Sequence, residues 1–283
     1  MALGVASLAT GRTPDCMIEF QDVSRNYGAK VAVKDLSLSI QAGELFSMLG
    51  HNGAGKTTTI KMLVGLLRPA SGSVMVGGYD VVTQTRDAVQ LIGYVPDQPY
   101  LYDKLSGREF LRFVAEMHGL SPDAVNDGLE REIDRFGLGG FVDDLTESYS
   151  HGMKQRTVFA SALLHRPSVL VVDEPMVGLD PQSIRLVKDL FRSETANGLC
   201  VLMSTHTLTA AEEVSDRIGV MDQGEMIFQG TVDDLKAMHP QEGATLETLY
   251  LRMLNQEERA ESPVEPGAAE RAAGSILDAP PSH

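Results

Sequence analysis

Gly50-His51-Asn52-Gly53-Ala54-Gly55-Lys56-Thr57 fits the pattern G-x-x-x-x-G-K-S/T, a loop type whose chemistry is phosphate binding. Glycines at 50, 53 and 55 permit positive φ and close backbone approach to phosphate oxygens, which a Cβ would obstruct. The stretch through Asn52, Ala54 and Thr58 then presents backbone N–H groups, and the positive end of the following helix faces the same anion. Lys56 supplies a mobile cation for terminal phosphates, and the Thr57 hydroxyl can ligate Mg²⁺. A glycine turn that merely caps a helix is the plainer alternative. It fits poorly, because the loop follows the apolar run Glu44 to Leu49 and opens a helix. Ile60, Leu63, Val64 and Leu67 recur at helical spacing over 57–67, and Arg68-Pro69 is expected to end that helix.

A second chemical cluster closes Val169-Leu170-Val171-Val172-Asp173-Glu174-Pro175. The apolar run reads as a buried parallel strand, and its two acids fall where ligands gather in α/β proteins, beyond the carboxyl ends of the strands. Asp173 is suited to hold Mg²⁺ through water. Glu174, one residue further, can point toward a water attacking the γ-phosphate, as general base or water-orienting group. Two solvated acids capping the next helix would be the bland reading, but the phosphate loop makes the catalytic one stronger.

The elements needed to position these residues are legible in outline. Strand-like alternation runs through Ile18 to Val23, Val31 to Val33 and Leu36 to Ile40, and again through Ser71 to Asp80. Glu109 to His118 and Asp123 to Phe136 read as helices between these strand-rich parts. Further strand-plus-loop units at Val169 to Pro175 and Leu199 to His206, each after helical sequence, imply crossovers and a mainly parallel sheet. The 283 residues carry 24 Lys plus Arg against 39 Asp plus Glu, a net charge of −15 that opposes phosphate-backbone attraction, so no nucleic-acid partner is expected. Cys16 and Cys200 have no metal-ligand spacing and read as free or buried thiols. No run approaches the ~18–20 apolar residues of a membrane span, and Met1 to Thr10 lacks the basic start of a signal peptide.

Taken as a set, these motifs resemble those of the ATP-binding-cassette (ABC) ATPases, specifically the nucleotide-binding subunit of a transporter. Beside the phosphate loop and Asp173-Glu174 stand Tyr149-Ser150-His151-Gly152-Met153-Lys154-Gln155-Arg156, then Val177-Gly178-Leu179-Asp180, then Ser204-Thr205-His206. They are similar to the family's signature segment, D-loop and switch histidine, in the family's order. The resemblance covers about residues 17 to 235. It implies an α/β fold with a mainly parallel RecA-like sheet core, an antiparallel β subdomain and an inserted helical subdomain.

The same resemblance implies roles for residues. ATP and Mg²⁺ are the expected cofactors and a Mg-dependent ATPase the expected activity. Two cassettes, as a homodimer or a heterodimer, close so that Ser150, His151, Gly152 and Met153 of one complete the ATP site of the other. His206 contacts the γ-phosphate and steadies Glu174, Asp180 communicates across the dimer, and Tyr27 stacks on adenine. The pattern also shows departures. Asp97 stands where the family usually has a glutamine near Mg²⁺, with Gln98 next to it, so either could be the metal or water ligand. His151 replaces the usual first signature glycine and Tyr149 its leucine.

The implied organisation is an N-terminal extension over 1–16 and an ATPase domain over 17–240 with its helical subdomain at about 98–165. A closing helix follows over 241–254. Residues 255–283, with six acids, four prolines and few large apolar groups, read as a disordered acidic tail. The expected function is ATP hydrolysis that energises transport, in the direction of export, through a separate integral membrane permease, with the chain peripheral at the cytoplasmic face of the membrane. The alternative is a soluble cassette working in DNA maintenance or on the ribosome. A single copy of each motif and the absence of a long coiled-coil insertion weigh against it.

Overall fold

The computed structural model describes residues 16–238 and 245–261. Strands β1 (Cys16–Tyr27) and β2 (Lys30–Gln41) form an antiparallel pair that turns at Gly28, whose φ is 59°. Their alternation buries one face, with Ile18, Phe20, Val33, Leu36 and Ile40 all inside. Strand β3 (Leu45–Leu49), buried at every position, leads into the glycine loop and α1 (Lys56–Leu63). This helix stops four residues short of the expected Leu67, because Gly65 adopts φ 75° just after the Val64 cap and turns the chain before Arg68-Pro69 is reached. Strand β4 (Ser71–Val76) pairs with β1 and β5 (Tyr79–Asp80) with β4, completing an antiparallel sheet of order β2-β1-β4-β5.

Helix α2 (Thr85–Gln90) and strand β6 (Ile92–Val95) precede three helices, α3 (Gly107–Met117), α4 (Pro122–Arg135) and α5 (His151–Leu163). Capping explains where these begin. The Ser106 hydroxyl accepts from the Glu109 N–H while Glu109 accepts from the Ser106 N–H, a reciprocal box, and Ser121 caps α4 ahead of Pro122. Phe110, Leu111, Leu129, Ile133, Phe136 and Phe159 join the three helices in a core of their own type, continuous with the sheet above.

The remaining elements are β7 (Val169–Asp173), α6 (Pro181–Ala196), β8 (Cys200–Thr205), α7 (Leu208–Val214), β9 (Arg217–Asp222), β10 (Glu225–Gly230), α8 (Val232–Met238) and α9 (Leu246–Glu261). The larger sheet has the order β10-β9-β3-β8-β7-β6 and is parallel except for β10. Strands β3, β7 and β8 are covered on both faces, which is why they read as unbroken apolar runs rather than alternations. Cys200 is buried and Cys16 partly so, and both are free thiols.

The closing helix differs from its expected bounds of 241–254. It starts at Leu246 and runs to Glu261, because Gln256-Glu257-Glu258-Arg259-Ala260 are all good helix formers and carry it into the segment assigned to the tail. Residues 1–15 of the expected extension, 239–244, and 262–283 of the expected tail lie outside the described residues. Among the described residues no helix is long and apolar enough to cross a membrane.

Candidate active site

The glycine loop connects the carboxyl end of β3 to α1, and its three glycines are needed for different reasons. Gly53 and Gly55 take φ 92° and 116°, as expected. Gly50 does not adopt positive φ; a Cβ there would stand 2.5 Å from the Met221 carbonyl oxygen and 2.9 Å from the Ala54 Cβ, so close packing against the end of β9 demands glycine. A Cβ on Gly55 would lie 2.6 Å from the Ala32 carbonyl oxygen, whereas Gly53 faces open space. Lys56 folds back over the loop, donating to the carbonyls of Gly50 at 2.6 Å and His51 at 3.2 Å. Only 6% of it is exposed, and this burial lowers its pKa against the opposing pull of the Glu174 and Asp173 charges.

The parallel register that pairs Asp173 of β7 with Ser204 of β8 brings the acids and the histidine to one end of the sheet. Asp173 is buried; its Oδ1 accepts from the Ser204 hydroxyl and its Oδ2 from the Thr57 hydroxyl at 3.2 Å. Burial raises its pKa, the two hydroxyl bonds oppose the rise, and the Asp97 and Glu174 charges add to it. Glu174 adopts φ 51°, a left-handed backbone that costs about 1–3 kcal/mol in a non-glycine residue and concentrates at functional sites. Its N–H donates to the Ser204 carbonyl at 3.0 Å. Its carboxylate lies 3.0 Å from His206 Nδ1, accepts from the His206 N–H at 3.3 Å, and stands 3.8 Å from Lys56 Nζ.

Lys56, Thr57, Asp173 and Glu174 share a cleft of about 280 Å³ whose walls also include Tyr27, Lys30, Asn52, Gly53, Thr58 and Asp97, while His206 reaches Glu174 from beside it and lines a neighbouring hollow with Gly50, His51, Asn52, Leu208 and Tyr250. Half-exposed Tyr27 sits at its edge, its ring centroid 5.4 Å from the Arg25 guanidinium carbon. Ala54 is buried behind the loop. Asp97 lines the cleft and Gln98 does not; Asp97 Oδ1 instead accepts the Gln98 backbone N–H at 2.8 Å. Thr57, Asp173 and Asp97 form a hard oxygen set too small to cage a metal alone. That suits Mg²⁺, which binds through one or two carboxylates together with phosphates and water.

Sequence reasoning missed three participants. Lys30 adds a cation at the mouth of the cleft, from the hairpin after Tyr27. Tyr94 of β6 has its pKa pushed up to about 12 by burial and by the Asp173 and Asp97 charges. Ser204, the third, had a usable signal, since a serine inside the apolar run Cys-Val-Leu-Met-Ser-Thr is a buried polar group that must find a partner.

The structure places the other motif residues elsewhere. Ser150 caps α5 by accepting the Met153 N–H at 3.3 Å, and His151 Nε2 lies 3.3 Å from the Val177 carbonyl. Asp180 caps α6, accepting from the backbone of Gln182 and Ser183 and from the Ser183 hydroxyl, bonds that hold its carboxyl below the usual range. A Cβ on Gly152 would stand 3.9 Å from Ser183 Oγ and 4.0 Å from Asp180 Oδ2, so the segments 150–153 and 177–180 pack together as one exposed unit. Tyr149 anchors this unit: buried, it donates its hydroxyl to the Phe141 carbonyl at 2.8 Å. None of Ser150 to Met153 or Asp180 lines the cleft.

A family model described as ABC transporter matches residues 33–177. The linearmycin resistance ATP-binding protein LnrL of Bacillus subtilis (strain 168) is 40% identical over 219 residues, covering 77% of this chain and 70% of that protein. The Nod factor export ATP-binding protein I of Burkholderia lata is 38% identical over 217 residues, with 77% and 71% covered. Among solved structures, an ATP-binding subunit of an ABC transporter superposes with a TM-score of 0.79 at 32% identity, covering 84% of this chain and 99% of that one.

Proposed function

The chain belongs to the ABC transporter family, and from that premise we propose that it is the ATP-hydrolysing subunit that energises an exporter through a separate integral membrane permease. One observation carries the proposal. Lys56, Thr57, Asp173, Glu174 and His206 meet at one end of the sheet, while Ser150 to Met153 and Asp180 form a separate exposed unit. A hydrolytic site divided in this way is completed by a second cassette, whose signature segment would cap the phosphates bound by this chain. The export direction is carried over from LnrL and the Nod factor protein, whose names state resistance and export.

Each residue has a task in that reading. The loop N–H groups and Lys56 hold the β- and γ-phosphates, and Tyr27 offers its ring to the base. Thr57 and Asp173, with Asp97 facing the same space, would hold Mg²⁺, which supplies charge neutralisation at the phosphate oxygens. Glu174 accepts a proton from the attacking water, and His206 fixes the carboxylate from both its backbone and its ring. The Ser150 hydroxyl takes the Met153 N–H, so the N–H groups of His151 and Gly152 at the start of α5 are the ones left to be presented to the partner's ATP. Asp180, beside that helix, carries the state of one site to the other. A soluble role in DNA maintenance or on the ribosome is not favoured, since the chain is acidic and its relatives are transporter subunits.

The permease places the chain at the cytoplasmic face of the membrane without inserting it. Fractionation tests this placement. The chain should sediment with native membrane vesicles and be released by alkaline carbonate, as a peripheral subunit is. Recovery of all of it in the supernatant before that wash would contradict the proposal.

A further inference from the structure

Ser204 touches both acids of the site. Every residue of β8 is buried, and Ser204 shows no exposed surface. Its neighbours Val201, Leu202 and Met203 show that the strand packs well with apolar side chains. A hydroxyl at that depth has a desolvation cost unless it is bonded, and this one donates to Asp173 Oδ1. The carbonyl of the same residue accepts the Glu174 N–H at 3.0 Å, the bond that holds Glu174 in its left-handed backbone. Two positions on, the same strand end delivers His206 to the Glu174 carboxylate.

We propose that Ser204 is a positioning residue for the metal-holding carboxylate. By occupying Oδ1 it sets the Asp173 side chain in one orientation, so that Oδ2 alone is turned toward the Thr57 hydroxyl, 3.2 Å away. Asp173 could otherwise rotate, presenting either oxygen or both, and its share of the metal would be less well placed. The inference rests on the reading of Asp173 as a group that holds Mg²⁺. Ser204 itself touches neither nucleotide nor metal in this account; it acts through Asp173, as groups hydrogen-bonded to metal ligands do.

The test uses the full chain carrying Ser204→Ala or Ser204→Thr, with Asp173→Asn as control. Two quantities are measured: ADP affinity in the presence of EDTA, and the Mn²⁺ affinity of the protein–ADP complex, read from the EPR signal of free Mn²⁺. Ser204→Ala should leave metal-free ADP affinity within twofold of wild type and weaken Mn²⁺ by about tenfold. Ser204→Thr, which keeps the hydroxyl, should restore most of that loss. Unchanged Mn²⁺ affinity in Ser204→Ala, while Asp173→Asn loses Mn²⁺, would overturn the proposal and leave the reading of Asp173 standing. Equal losses of metal-free and metal-dependent binding, not restored by threonine, would also overturn it, by showing a purely structural role. If Asp173→Asn kept its Mn²⁺, the underlying reading would fail instead, and the proposal with it.

Discussion

Replacing Glu174 with glutamine separates chemistry from binding. The carboxylate is held by the His206 backbone N–H at 3.3 Å and by His206 Nδ1 at 3.0 Å. A glutamine amide has the same shape; its oxygen can accept the backbone bond and its NH₂ can donate to an unprotonated ring nitrogen, so the geometry survives. What disappears is the ability to take a proton from water. A positioned general base contributes about 10²–10⁴-fold, or roughly 2.7–5.4 kcal/mol of activation free energy at about 1.36 kcal/mol per decade. Binding responds differently. The native carboxylate stands 3.8 Å from Lys56 Nζ and competes with phosphate for that ammonium, so the neutral amide leaves Lys56 freer to hold ATP. Glu174→Gln should therefore reduce steady-state phosphate release at saturating MgATP by about 10²–10⁴-fold, bind ATP at least as tightly as wild type, and remain as an ATP-bound dimer on gel filtration. Turnover within threefold of wild type would refute the general-base assignment, and parallel loss of ATP affinity would refute the claim that the substitution spares binding.

Three further perturbations probe other parts of the account. Lys56→Ala removes the buried cation of the loop, proposed to hold phosphate; losing charge-assisted hydrogen bonds of about 1.5–3 kcal/mol should weaken ATP by roughly ten- to a hundredfold, and unchanged affinity in direct titration would contradict the loop's role. Gly50→Ala pushes a methyl to 2.5 Å from the Met221 carbonyl oxygen and should cost about 1–3 kcal/mol in urea denaturation; an unaltered midpoint would show that the loop yields more easily than its packing implies. The third is a pH effect. His165 stacks on His118 with ring centroids 3.8 Å apart and donates from Nε2 to the Ile92 carbonyl, and burial, then the His118 charge, push its pKa down to about 4. The unfolded chain binds this proton more readily than the folded one, so the stability is present above the ordinary histidine pKa and is lost as pH falls toward 4. Between pH 7 and pH 5 the loss should be about 2 kcal/mol. The difference between wild type and His165→Gln, measured by denaturation at both pH values, isolates it, and an equal pH dependence in the two would contradict the assignment.

What could be read from the chain was what is contiguous. The phosphate loop carries its glycines, lysine and threonine in one short stretch, and Asp173-Glu174 end an apolar run, so both announced themselves without any knowledge of neighbours. The requirement for glycine at position 50 is one of close approach without positive φ, and the surface approached includes protein as well as phosphate. It is imposed by the Met221 carbonyl, which is distant in sequence and adjacent only because β9 lies beside β3 in the sheet. The pairing of Ser204 with Asp173 is equally a matter of strand register, invisible until β7 and β8 are aligned. The choice between Asp97 and Gln98 turns on which side chain faces the cleft after β6, and adjacent residues in an exposed loop carry no periodic signal to decide it. The β9–β10 hairpin is marked only by Gly224 at φ 89°, because its companion Gln223, at φ 44°, is not a residue that advertises a left-handed turn. The helical region is legible in the amphipathic runs from Glu109 and Asp123, but the Ser106 and Ser121 caps start the helices slightly earlier, at Gly107 and Pro122.

The central claim is that this ATPase works on a membrane protein. The most direct measurement is to isolate the tagged chain from gently solubilised native membranes and identify its companions by mass spectrometry with quantified stoichiometry. The account predicts a multi-span integral membrane protein recovered in a fixed ratio to the cassette. Recovery only in the soluble fraction, in company with ribosomal or DNA-associated proteins, would contradict it.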